Sequence, residues 1–400
     1  MNIEYLTFLR ILSDHLNKIT SHPPDDLDWA QIAAYAKSHE VEAIVGHQCR
    51  EYLTTKPELK DILARFETAR AASMFYYTNR VQALEELKAV YRDERVRFFT
   101  VKGLDVAALY PVPAYRTMGD MDIVLSTEDR ERVYEAMTRL GYTLRPGGYE
   151  RHYARGGVKL ELHDHLLYPE NLENEDRKAY FNACWEHIAA EQDGCCRLDW
   201  NFHFLFLVEH LKQHFSANGV GFRQFMDMVI AARELPELDW AWIESELRKI
   251  GLWDFTVNAA SICCRWWDIE LPIPTLPLDD GFYEVSTGLV FQNGVFGFNN
   301  DEFRIHETAK RMRSARTPKL LRPVVVAFKK VFVPYETMIH FPNCTFLVGR
   351  RYLLPAAWVY RLYYVLRYRR GTYKAESKLI FGSGESIQQH NELMSQWGLE

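Results

Sequence analysis

Gly119-Asp120-Met121-Asp122-Ile123-Val124-Leu125 is the stretch on which the fold turns. Residues two apart in a strand share a face, so Asp120 and Asp122 point one way while Met121, Ile123 and Leu125 face a core. Two carboxylates side by side repel each other unless a cation lies between them, and oxygen ligands suit a hard divalent ion. The plainer alternative is a pair of solvated acids at a strand edge. A third acid bears on the choice. Val158-Lys159-Leu160-Glu161-Leu162-His163 alternates cleanly, with Leu160 and Leu162 on one face and Lys159, Glu161 and His163 on the other. Glu161 in mid-strand is either a partner of the two aspartates or one half of a salt bridge to Lys159 or an arginine.

Upstream, Phe98-Phe99-Thr100-Val101 reads as a short apolar strand ended by Lys102-Gly103. A strand that stops at glycine and opens a helix presents free backbone N–H groups to an anion. Gly103 permits close approach there, and Lys102 and Arg116 add positive charge. A small helix from Leu104 to Leu109 is stopped by Pro111 and Pro113. Downstream, Ser126-Thr127-Glu128-Asp129 starts a helix that runs to Leu140, with Gly141 beyond it. Strand-like runs follow at Tyr142 to Arg145, Tyr149 to Ala154 and Val158 to His163, the last two joined by Gly156-Gly157. This β-α-β-α-β-β-β unit is small and needs helical neighbours to bury its sheet.

The flanks supply them. Ile3, Leu6, Leu9, Ile11, Leu12 and Leu16 keep a helical period, and Asp28 caps a second helix carrying Trp29, Ile32 and Ala33. Val41 to Leu53 makes a third, and Pro57 opens a long one reaching Leu87. From Asn174 the pattern is helical again at Ala179 to Ala190, Trp200 to Phe215, Phe222 to Leu235, Trp240 to Ile250 and Phe255 to Trp267. The Pro-rich run from Leu271 to Pro277 reads as a linker. The expected architecture is α+β: a helical N-terminal region (1–95), a small mixed β-sheet core (96–170), a helical region completing a cleft (171–270) and a basic, aromatic C-terminal region (271–400).

Apolar residues at 48% and charged residues at 26% are ordinary globular values. The seven cysteines include two adjacent pairs and no CxxC spacing, which fits neither a disulfide framework nor a zinc ribbon. Reduced thiols in a cytoplasmic protein are expected. Met1 to Tyr5 lacks the basic start of a leader, and no apolar run reaches eighteen residues, so no membrane span is expected. The net charge of −6 hides an asymmetry. Phe303 to Lys374 holds sixteen Lys and Arg against Glu307 and Glu336, about +14, leaving about −20 on the rest. Trp358, Tyr360, Tyr363 and Tyr364 interleave with Arg361 and Arg367 to Arg370. Such a segment suits an anionic membrane surface or another polyanion, making the protein peripheral to a membrane, or it docks on the acidic remainder of its own chain.

Taken in order, Lys102-Gly103, then Arg116-Thr-Met-Gly-Asp120-Met-Asp122-Ile-Val-Leu, then Leu160-Glu161-Leu162-His163 resemble the uncharacterised bacterial nucleotidyltransferase family of the DNA polymerase beta superfamily. The resemblance covers about residues 95 to 270 and is looser at the flanks. It implies a metal-dependent nucleotidyltransferase that moves an NMP from an NTP such as ATP to an acceptor and releases pyrophosphate. Asp120, Asp122 and Glu161 would hold two Mg2+ ions, with Mn2+ as the substitute, roughly 3.5–4 Å apart. Lys102, Gly103, Arg116, Gly119 and His163 would line the nucleotide. His210, Arg223 and Asp227 match the family's downstream helical part and would meet the acceptor or the nucleotide.

Other readings compete. His210 and His214 stand four apart on a helix, a zinc-ligand spacing that His163 and His165 could complete; the alternative is a pair of helix-face histidines beside the nucleotide. Arg223 and Asp227 have the same spacing, and a helix-face ion pair would explain them. For the whole chain, the alternatives are a glycosyltransferase using the DxD for a nucleotide-sugar metal, or a catalytically inactive nucleotide-binding module. The acceptor is not written in the sequence.

Overall fold

Local chemistry starts the helices where expected: Asn2 accepts a hydrogen bond from the Tyr5 N–H and Asp28 one from the Gln31 N–H, each satisfying a backbone donor that the first turn leaves open. The structure, a computed structural model, describes residues 2–126, 128, 130–145, 151–167, 175–217, 219–295, 308, 317–318, 321–339, 341–368, 380 and 385–399. It divides into two compact units, Met1–Gly297 and Phe298–Glu400.

In the first unit, helices α1 (Ile3–Leu16), α2 (Trp29–Ser38), α3 (Glu42–Gln48) and α4 (Arg50–Thr54) precede α5 (Lys60–Asp93), a helix of 34 residues. The sheet segment follows as β1 (Phe98–Val101), α6 (Gly103–Ala107), β2 (Met121–Leu125), α7 (Arg130–Arg139), β3 (Thr143–Arg145), β4 (Arg151–Arg155) and β5 (Val158–His163). Thr127 and Asp129 of the expected helix start, and Tyr149 and Glu150 of the expected strand, lie outside the described residues. Then come α8 (Glu175–Asn182), β6 (Ile188–Gln192), β7 (Cys195–Leu198), α9 (Trp200–Ala217), α10 (Phe222–Glu234), α11 (Trp240–Lys249), α12 (Trp253–Trp267) and α13 (Asp280–Asn293).

The seven strands form one mixed sheet in the order β3-β4-β5-β2-β1-β7-β6. β2 runs antiparallel to β1 and parallel to β5, and β1 meets β7 in parallel. The fold is therefore α+β, with helical flanks as the sequence implied. One sheet face is apolar: Met121, Ile123 and Leu125 of β2 and Leu160 and Leu162 of β5 pack with Ala83, Leu87 and Tyr91 of α5 and Val133 and Met137 of α7. Burying that face consumes the apolar half of each alternating strand and leaves the other half, with its acids, for the opposite face.

The sequence reading missed one hairpin. Ala179 to Ala190 was expected as a helix, but the helix ends at Asn182 and β6 begins at Ile188. Asp193 and Gly194, at φ 53° and 82°, make the tight turn to β7, the Asp-Gly signature of a two-residue hairpin loop. A Cβ on Gly194 would stand 2.3 Å from the Val96 carbonyl oxygen, and the Gly194 carbonyl accepts from the Phe98 N–H at 3.0 Å. Pairing of β6 with β7, itself held on the edge of β1, overrides the helix propensity of Ala189 and Ala190. The Pro-rich run after α12 is packed into the first unit, with Ile273 buried and the Leu276 N–H bonded to Ser261 Oγ at 2.8 Å.

The second unit carries helices Arg322–Val331, Tyr335–Met338, Leu354–Tyr368 and Glu385–Gln396. Met338, Cys344, Leu347 and Ala357 form a small core of its own, and Trp358 Nε1 donates to the Val333 carbonyl at 2.8 Å. Arg304, Lys310, Arg311, Arg313, Arg316, Lys319, Arg369, Arg370 and Lys374 of the basic stretch lie outside the described residues. All seven cysteines are free thiols, and among the described residues no helix is long and apolar enough to cross a membrane.

Candidate active site

The polar face of the sheet carries a line of side chains running across the strands. Asp122 of β2 stands opposite Glu161 of β5, and Glu161 opposite His152 of β4. Asp120 precedes β2 by one residue. Among the described residues, two sets of three ligating atoms lie within 4.8 Å of one another, Asp120 with His152 and Glu161, and Asp122 with Glu161 and His163. Glu161 belongs to both. One of its oxygens faces His152 Nε2 at 3.5 Å and the other faces His163 Nε2 at 3.8 Å. The three sequence-predicted acids are thus brought together, and the glutamate's neighbours are histidines.

Asp122 is the most enclosed of the three. Burial alone would raise its carboxyl pKa, but the Lys102 ammonium at 3.2 Å and His163 Nε2 at 3.1 Å from the same oxygen, Oδ1, hold it well below the ordinary range. Two carboxylates and an imidazole per set fit a divalent cation. The imidazoles widen the choice beyond Mg2+ toward Mn2+ and other borderline ions.

Lys102 sits where β1 turns into α6, at φ 57° and ψ −118°, a region that favours glycine and costs a side-chain-bearing residue about 1–3 kcal/mol. Three contacts hold the turn. The Lys102 N–H donates to His203 Nε2 at 2.9 Å, Arg116 Nη1 donates to the Gly103 carbonyl at 3.0 Å, and Nζ reaches Asp122. Gly103 has φ 28°, and no atom lies within 4 Å of where its Cβ would stand, so backbone conformation, not crowding, calls for glycine. The expected anion site at this corner is narrower than its sequence suggested. α6 is only five residues long, and the Lys102 N–H is already taken by His203.

Arg116 is buried, and its guanidinium meets Asp227 side-on, Nε to Oδ1 at 2.7 Å and Nη2 to Oδ2 at 2.8 Å. Tyr110 donates to the same Oδ1 at 2.7 Å. Arg116 thus spends its charge on α10 and uses its third nitrogen, Nη1, on the Lys102-Gly103 turn. Arg223 and Asp227 do not form the helix-face pair their spacing suggested: Arg223 donates to the Thr117 carbonyl at 2.5 Å and faces Glu40 at 3.4 Å. Arg80, buried on α5, donates to the carbonyls of Met118 at 3.0 Å and Gly119 at 2.5 Å. Three arginines therefore fix the segment that delivers Asp120. Asp227→Asn keeps the shape and leaves the Arg116 charge uncompensated in the interior, so it should destabilise the fold by about 3–5 kcal/mol in urea unfolding. A loss below about 1 kcal/mol would mean that the pair carries little of the turn.

His210 and His214 face each other on α9, Nε2 to Nε2 at 3.1 Å. Burial lowers the pKa of both, that of His214 to about 4, and the Lys102 charge lowers them further. Among the described residues, the ligand sets include neither of them, nor His165. Three participants escaped the sequence reading. His152 had a usable signal, alternating with Tyr153 in a strand beside Glu161. His203 and Arg80 had none, since each is a single polar residue in an otherwise ordinary helix.

A family model described as an uncharacterised nucleotidyltransferase matches residues 25–268, more than half of the chain. No curated protein and no solved structure matches it.

Proposed function

Since the chain belongs to this uncharacterised nucleotidyltransferase family, we propose that the carboxylate row transfers an NMP from an NTP to an acceptor hydroxyl with release of pyrophosphate. The observation that carries this reading is Glu161, shared by two ligand sets, one with Asp120 and His152 and the other with Asp122 and His163. Divalent ions bound there, two Mg2+ or Mn2+, would neutralise the triphosphate and acidify the acceptor hydroxyl. Asp120 and Asp122 anchor the phosphate side. Glu161 orients the acceptor, whose hydroxyl gives its proton to solvent as its oxygen bonds to the α-phosphorus and the bond to the departing pyrophosphate breaks. Lys102 and His163 adjoin the phosphates, and Gly103 and Gly119 let the backbone approach them. Arg116 and Asp227 act as positioning residues, holding the Lys102-Gly103 turn from behind. His210 and Arg223 border the acceptor side.

Incubating the protein with each labelled NTP and Mg2+ or Mn2+ tests the reading, with labelled NMP on an acceptor and pyrophosphate as the expected products. Sugar transfer from a nucleotide sugar would instead favour the glycosyltransferase alternative. NTP binding without turnover under any condition would leave a nucleotide-binding module.

The second unit supports a further reading, docking on an anionic lipid surface. Helix Arg322–Val331 exposes Val324 and Phe328 beside Lys329 and Lys330, and helix Leu354–Tyr368 exposes Val359 and Tyr363 near Arg367. Apolar and aromatic side chains flanked by lysine and arginine suit a headgroup interface. The chain should co-sediment with phosphatidylserine vesicles at low salt and less so at moderate salt. Binding to a soluble polyanion without vesicle binding would replace lipid with that partner, and binding to neither would reduce the unit to a structural role.

A further inference from the structure

We propose that Lys102 is the resident cation of the carboxylate row: in the metal-free protein its ammonium neutralises Asp122, and a divalent ion that takes the same oxygen displaces it. The inference rests on the metal-dependent reading above. Backbone conformation is the first observation. Lys102 holds a positive φ of 57°, and in the same turn Gly103 holds one of 28°. A glycine would adopt the Lys102 conformation freely, so the side chain must return what the backbone gives up. What it makes is an ion pair largely shielded from water, with side chains 16% and 12% exposed and Nζ 3.2 Å from Asp122 Oδ1. The ammonium also lies 5.5 Å from the centre of the Phe206 ring, a second favourable contact for a cation.

The backbone beneath this side chain is fastened by contacts of its own, independent of the ion pair. His203 Nε2 holds the Lys102 N–H, and Arg116 holds the next carbonyl. The turn therefore stays in place while four methylene groups let the ammonium swing. Asp122 Oδ1 already receives both Lys102 and His163 Nε2, so a metal ion coordinating this oxygen competes with the lysine. Once displaced, the ammonium finds its new partner in the phosphate oxygens of an NTP bound in front of the row. Metal entry is thereby opposed without nucleotide and favoured with it: the lysine couples the two ligands.

The test measures Mn2+ binding to the full chain by electron paramagnetic resonance, without nucleotide and then with a non-hydrolysable ATP analogue. Lys102→Met removes the charge and keeps the stem. It should bind Mn2+ about tenfold more tightly than the unaltered protein when nucleotide is absent, the size expected for losing one nearby like charge in a partly shielded site. With the analogue present the gain should vanish or reverse. Lys102→Gly removes charge and backbone strain together. It should show the same gain in Mn2+ affinity and a higher melting temperature than Lys102→Met, which keeps the test open if the methionine variant folds poorly. Asp122→Asn should lose Mn2+ binding. If both Lys102 variants bind no more tightly than the unaltered protein while Asp122→Asn loses the ion, the proposal is overturned and the metal site stands. If Asp122→Asn leaves Mn2+ binding unchanged, or the protein binds none, the metal reading falls and this proposal with it.

Discussion

Asp120→Asn and Asp122→Asn should each reduce pyrophosphate release by at least about a thousand-fold, because metal-borne charge stabilisation is worth several kcal/mol and each 1.4 kcal/mol is a factor of ten. Their effects on the fold should differ. Asp120 lies at the open end of the row, and removing its charge relieves repulsion with Glu161. Asp122→Asn strips the counter-ion from Lys102, 16% exposed, and disturbs the hydrogen bond to His163 Nε2, so this variant should also be measurably less stable. Glu161→Gln should keep NTP binding and lose transfer, since the acceptor and not the nucleotide depends on it. Radiolabelled transfer assays on the three variants, beside urea unfolding curves, measure both effects. Near-normal turnover in either aspartate variant removes the row from the mechanism; near-normal turnover in Glu161→Gln returns that residue to a salt-bridge role.

Acid should unfold the first unit early. Burial lowers the pKa of His15 and His214 to about 4 and of His39 and His203 to about 3, and that of His210 well below 6.5. In the unfolded chain all five titrate near 6.5. Between pH 6.5 and 4 the unfolded state therefore binds protons that the folded state refuses, and stability falls as pH falls. Each histidine contributes up to about 1.4 kcal/mol per pH unit. Asp105 acts the other way: burial raises its pKa to about 6, so the folded state gains a proton there first and is stabilised between pH 6 and 4. One aspartate offsets one histidine and leaves four. Against a typical total stability of about 5–15 kcal/mol, that is enough to place the acid transition near pH 5. Asp122 adds its loss only below its unfolded value of 3.8. Urea midpoints followed by circular dichroism from pH 7 to 5 should drop steadily; a flat profile would mean that these rings are hydrated or protonated in the folded protein.

The strands that carry the acids were legible because a half-buried strand writes its two faces into alternate letters, and Asp122 and Glu161 fall on the polar beat of β2 and β5. The partners of those acids were less so. Arg116 finds Asp227 across 111 positions of chain, a distance over which no spacing rule operates, and the i,i+4 neighbour that local logic offered, Arg223, turned to the Thr117 carbonyl and Glu40 instead. Nothing local announces the positive φ of Lys102, since tertiary contacts at His203 and Arg116 impose it. The β6–β7 hairpin is a different case. Its Asp-Gly turn was in plain view, but the alanines before it argued for helix, and only pairing with β7, seated on the edge of β1, decides between them.

That edge also orders events in time. β1 and β2 leave the ribosome well before Cys195–Leu198, and until β7 arrives one side of β1 has no strand to pair with. The sheet that carries the acids is thus assembled in two instalments, separated in the chain by α8 and its flanking residues. A nascent or truncated chain ending before Cys195 exposes an open strand edge of Phe98 and Phe99, the kind of surface that recruits other chains. The hairpin covers that seam late and from within the chain, moving the free edge of the sheet from the apolar β1 to β6, whose Ala189 to Gln192 are exposed.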